Sequence, residues 1–76
     1  MNAVGARVRE ARFQQDPQWS LEDLSQALLQ NGGLELTPAT LSKIERGRRS
    51  VYDYEVVAFC RAFKVEPRWL LGMDDR

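Results

Sequence analysis

Thr37-Pro38-Ala39-Thr40-Leu41-Ser42-Lys43-Ile44-Glu45-Arg46-Gly47 is the stretch whose reading decides the fold. Threonine is a strong N-cap, proline suits the first helical turn where its missing N–H is no loss, and glycine readily takes the left-handed conformation that ends a helix. The segment therefore predicts a short helix stopped at both ends. Leu41 and Ile44 lie three apart and share an inward face, while Pro38, Ala39, Thr40, Ser42 and Lys43 lie around the outward side. An outward face of small side chains and one long base lets a helix approach closely into a groove.

The same punctuation recurs on both sides of this segment. Val4, Val8 and Ala11 repeat at helical spacing, which predicts a first helix from residue 3 to about 15, stopping before Asp16-Pro17. Ser20 followed by Asp23 is a capping-box pattern, with Trp19 placed to pack on Leu24 as a hydrophobic staple. Leu21, Leu24 and Leu28 continue that second helix, and Asn31-Gly32-Gly33 ends it at about Gln30. Leu36 and Leu41 repeat the staple around the third helix. In the fourth, Asp53 is expected to cap, Tyr52 to reach Val57, and Val56, Phe59, Cys60 and Phe63 to line the inner face. A short fifth helix opens with Pro67, closes at Gly72 and carries Trp69, Leu70 and Leu71. Nowhere do apolar and polar residues alternate in a sustained way, so no sheet is expected. The reading is one all-α domain over residues 1–76, with an ordered core from about 4 to 72 and frayed ends at residues 1–3 and 73–76.

Composition excludes several classes of function. Seventy-six residues give one small domain with a modest core and no room for a separate catalytic domain. One cysteine and no histidine leave no intramolecular disulfide, none of the usual zinc sites and no histidine for acid–base or nucleophilic chemistry. Cys60 falls among apolar residues and reads as a buried, inert thiol. No nucleophile–base set, glycine-rich phosphate loop or metal-ligand spacing is present, so an enzyme is not expected, nor a cofactor, metal or small-molecule ligand. The chain has neither an apolar run of membrane-spanning length nor a signal-peptide pattern, which points to the cytoplasm.

Formal net charge is zero and the sequence pI is about 6.2, below the basic values usual for a nucleic-acid-binding domain. Distribution says more than the sum. Arg7, Arg9 and Arg12 stand near the start against Glu10, and Lys43, Arg46, Arg48 and Arg49 cluster against Glu45 alone. The acids concentrate elsewhere, at Glu22, Asp23, Asp53, Glu55, Glu66, Asp74 and Asp75.

From Val4 to Leu71 the chain resembles the helix-turn-helix domain of the phage repressor and Cro family, the xenobiotic-response-element type. The residues that carry the resemblance are Val4-Gly5-Ala6-Arg7-Val8-Arg9-Glu10-Ala11-Arg12, Ser20 to Leu24, Thr40 to Arg49 with its Ile44-Glu45-Arg46-Gly47, and Val65 to Leu71 with its Trp69-Leu70-Leu71 ending. The resemblance implies a compact five-helix repressor-like domain in which helix 2 crosses the phosphate backbone and helix 3 enters the major groove of double-stranded DNA, usually as half of a homodimer. Groove-facing positions then fall on Thr37, Pro38, Ala39, Thr40, Ser42 and Lys43. Phosphate contacts fall on Arg46, Arg48, Arg49 and Ser50, with Tyr52 beside them. Arg12 and Glu45 occupy the positions of an internal ion pair tying helix 1 to helix 3. The chain departs from the family pattern at Leu21, where a glutamine often touches phosphate, in the long link from Asn31 to Leu36, and at Glu66, where a serine cap is common.

These readings converge on a sequence-specific transcriptional regulator, a repressor in its simplest form, acting at the nucleoid as a homodimer on a partly palindromic operator. The apolar Trp69-Leu70-Leu71 ending is the expected pairing surface. The alternative is a protein-binding module on the same fold, of antitoxin or antirepressor type, which the neutral net charge favours. Tyr52 and Tyr54 read as a surface aromatic pair, and Trp69 as core.

Overall fold

Every regular element among residues 3–73, which a computed structural model describes, is helical. Five α-helices follow in order: α1 Ala3–Phe13, α2 Leu21–Ala27, α3 Pro38–Glu45, α4 Asp53–Phe63 and α5 Pro67–Leu70. A π-helical turn, Leu28–Gly32, continues α2. Of the expected frayed ends, Ala3 opens α1 and the Met73 N–H donates to the Arg68 carbonyl, while Met1, Asn2, Asp74, Asp75 and Arg76 lie outside the described residues. No helix among the described residues is long and apolar enough to cross a membrane.

Periodicity places one buried cluster. Val8 and Ala11 enter it from α1, Leu24 and Ala27 from α2, Leu41 and Ile44 from α3, and Leu70 from α5. α4 supplies the largest share, with Val56, Ala58, Phe59, Cys60, Ala62 and Phe63. Burial pushes the Cys60 thiol up, so it stays protonated and packs as a small apolar group. α1 lies against α3, α4 and α5, while α4 backs the π turn.

Three boundaries differ from the sequence expectation. α1 ends at Phe13 rather than near residue 15, because the Arg12 carbonyl accepts from both the Gln15 and Trp19 N–H groups, which turns the chain back toward the core. Trp19 then stacks on Phe63 with ring centroids 5.8 Å apart, and Phe63 continues the stack onto Phe59. α2 ends at Ala27 and widens into the π turn up to Gly32, with Gly33 in the left-handed conformation at φ 66°. Finally α4 is capped differently. Asp53 is its first residue and Tyr52 its N-cap, and the Tyr52 N–H is satisfied by the Glu55 carboxylate at 3.0 Å. Tyr52 and Val57, expected to form a staple, are both exposed.

Candidate nucleic-acid interface

α3 is built as its sequence predicts. The Thr37 Oγ1 accepts from the Thr40 N–H at 3.2 Å, Pro38 occupies the first turn, and Leu41 and Ile44 are fully buried. At the other end the Gly47 N–H bonds to the Ile44 carbonyl and the Arg48 N–H to the Lys43 carbonyl at 2.8 Å, with Gly47 at φ 77°. These two bonds satisfy the carbonyls that a helix end leaves orphaned. Ala39 and Lys43 are exposed, and Pro38, Thr40 and Ser42 half-buried, so all five border the outward side. The Thr37 hydroxyl also donates to the Thr40 hydroxyl oxygen at 3.1 Å.

Side-chain bonds hold this helix against its neighbours. The Ser25 hydroxyl of α2 donates to the Leu36 carbonyl at 2.6 Å, anchoring the segment that leads into α3. At the far end Arg12 of α1 grips Glu45 with two bonds, Nε to Oε2 at 2.8 Å and Nη2 to Oε1 at 3.0 Å. Both side chains are nearly buried, and the remaining Arg12 Nη1 donates to the Trp19 carbonyl at 3.0 Å. The expected pair is therefore present, and Arg12 also ties down the α1–α2 loop.

Arg49 is placed differently from its expected role on phosphate. Its two terminal nitrogens each donate to a Glu55 oxygen at 2.9 Å, and one also donates to the Ser50 carbonyl at 2.7 Å. Glu55 is only 1% exposed. The hydrogen bonds from Arg49 hold its carboxyl below the usual range against the opposing effect of burial, and the Tyr52 N–H adds to that effect. The same pairing raises the Arg49 guanidinium. The guanidinium also lies 5.4 Å from the centre of the Tyr52 ring, and Tyr52 and Tyr54 meet edge to face at 5.9 Å. Sequence spacing hid this arrangement, because Glu55 counted as one of the acids remote from the basic cluster. The signal was its position three residues after Tyr52, where a glutamate reaches back to a helix start.

Glu45 and Glu55, the two acids bonded into the end of α3 and the turn after it, are thus each neutralised by an arginine. Lys43, Arg46 and Arg48 remain exposed and carry no ion pair among the described residues. A zero net charge for the chain coexists with a local cluster of three uncompensated positive charges. Beside it, a cleft of about 180 Å³ between α1, α2 and α3 is lined by Arg9, Arg12, Leu21, Ser42, Glu45 and Arg46. With Arg12 committed to Glu45, the exposed Arg9 and Arg46 are the residues there able to receive an anion, and Arg9 was not among the expected site residues.

Of the expected pairing surface at the C-terminal end, Trp69-Leu70-Leu71 beside Val65 and Arg68, part is internal. Leu70 is fully buried, and Trp69 is half-buried with the Arg7 guanidinium 4.7 Å from its ring centre. Trp69 is thus packed against the core as the sequence suggested, while Leu71 is partly exposed. No family model, curated protein or solved structure matches this chain.

Proposed function

We propose that this chain is a sequence-specific regulator that binds double-stranded DNA, with α2 and α3 acting as a helix-turn-helix and α3 as the reading helix. The observation that supports it most is the outward side of α3, which ends in three uncompensated cations while Glu45 and Glu55 beside it are each paired with an arginine. Small side chains at Pro38, Ala39, Thr40 and Ser42 permit close approach to base edges, and Lys43 is the long donor that reaches O6 and N7 of guanine. Arg46, Arg48 and Ser50 meet phosphates past the helix end, joined by Arg9 across the cleft. Arg49 serves this surface indirectly, by fixing the turn between α3 and α4. Binding as a homodimer to a partly palindromic operator, with repression by occlusion, is the simplest use of such a domain.

Two substitutions separate reading from holding. Lys43→Ala is expected to cost about 1–3 kcal/mol on the best operator, far less on random duplex, and to relax preference at one base pair per half-site. Arg48→Ala should weaken binding to all sequences alike and reduce the slope of log affinity against log salt by about 0.9 for each phosphate it ceases to neutralise. Isotherms on specific and random duplexes at two salt concentrations measure both. If Lys43→Ala weakens every duplex equally, α3 is not reading bases through that residue. The zero net charge keeps a protein-binding role for the same surface as the second reading, and absence of any mobility shift with random DNA at low salt would favour it.

A further inference from the structure

The outer face of α4 carries a row of side chains that the core does not use. Asp53, Val57 and Arg61 follow one another at four-residue steps along the helix, and all three are exposed, Val57 at 46%. Tyr54, 62% exposed, flanks the row. Neither Asp53 nor Arg61 forms an ion pair among the described residues. The row is acid, apolar, base, with the two charges equidistant from Val57, each about 6 Å along the axis. Such an order is self-complementary: a second copy running antiparallel, with Val57 on the two-fold axis, sets Asp53 of each chain against Arg61 of the other. Residues four apart form the ridge that packs into the matching groove of another helix at a crossing near −50°.

We propose that α4 is the surface through which two copies of this chain pair about a two-fold axis, Val57 meeting Val57 and Asp53 meeting Arg61 twice. The partner is identified by charge order, since an unrelated acidic or basic surface would satisfy only one end of the row. An isologous contact of this kind doubles every interaction. A single crossing of two helices lies at the small end of interfaces, below about 1,200 Å² in total. The dimer is accordingly weak in solution and strengthened when two copies are held side by side. This deepens the reading above, which calls for two copies on one operator, and depends on it only for that last consequence.

The test uses the whole chain without DNA, so its outcome is independent of whether the chain binds DNA. Sedimentation equilibrium should show a concentration-dependent mass between one and two chains. Asp53→Arg and Arg61→Asp should each weaken association at least about tenfold, since each places two like-charge pairs across the axis. The double variant, with both charges exchanged, should associate within a few-fold of the wild type, once circular dichroism and melting show that all variants are folded. Independently, Val57→Cys should form an interchain disulfide on mild oxidation, while the parent chain, whose one cysteine is the buried Cys60, should not. A wild type that stays monomeric, association indifferent to both single exchanges, no recovery in the double variant, or no cross-link at position 57 would each overturn the proposal.

Discussion

Arg12 and Arg49 use their planar guanidinium groups in the same way at the two sides of the α3 exit. Each holds a buried or nearly buried glutamate with two short bonds and gives a further bond to a main-chain carbonyl. Such fork-to-carboxylate pairs fix direction as well as distance, which lysine cannot do. Removing one partner strands a charge away from water, so Glu45→Ala and Arg12→Ala should each lower stability by about 3–5 kcal/mol. The double variant should recover part of that loss, because no lone charge remains. Chemical denaturation of the three variants measures the coupling. Small and strictly additive losses would mean that solvent, not the partner, satisfies these groups.

At the scale of the element, the long link between α2 and α3 is shaped by two glycines with different duties. A Cβ on Gly32 would stand 2.9 Å from the Ala58 carbonyl oxygen and 3.0 Å from its Cβ, so the π turn packs on α4 through a gap that only glycine leaves. Gly33 faces open space and is required instead for its φ of 66°. Gly32→Ala should therefore cost about 1–3 kcal/mol by overpacking. Pairing it with Ala58→Gly should restore only part, since the nearest obstacle is main chain. Gly33→Ala should cost about 1 kcal/mol through the left-handed backbone, and Gly33→Asn less, because asparagine tolerates that region. Thermal melts of the four variants decide it; equal losses at both sites, or full rescue by Ala58→Gly, would contradict this division.

For the molecule as a whole, Glu55 links stability to acidity. Its carboxyl is held below the usual range in the folded chain. The folded state thus gains stability above the unfolded value of about 4.3, and loses it as pH falls through the lower folded value. Glu55→Gln should lower stability by about 1.5–3 kcal/mol at pH 7, the scale of a hydrogen bond to a charged group. That gap should shrink as the pH approaches 2, and melting curves from pH 2 to 7 should converge. A constant gap across the range would show that the loss is one of shape, not of charge.

Local chemistry was enough to determine the helices and their inward faces. Ser20 and Asp23 cap α2, Thr37 and Gly47 bound α3, and Val8, Leu24, Leu41 and Phe59 are buried as their spacing requires, because caps and the 3.6-residue period act within a few residues of chain. The Arg12–Glu45 pair was legible only through the family resemblance, since 33 residues separate its members. Tertiary packing decided the rest. It turned Arg49 inward onto Glu55, placed Leu70 in the core and stacked Trp19 on Phe63. It also drew Gly32, the last residue of the π turn, against Ala58. Each of these depends on which helix lies across from which, and a burial cost or a close approach exists only once the second surface has arrived.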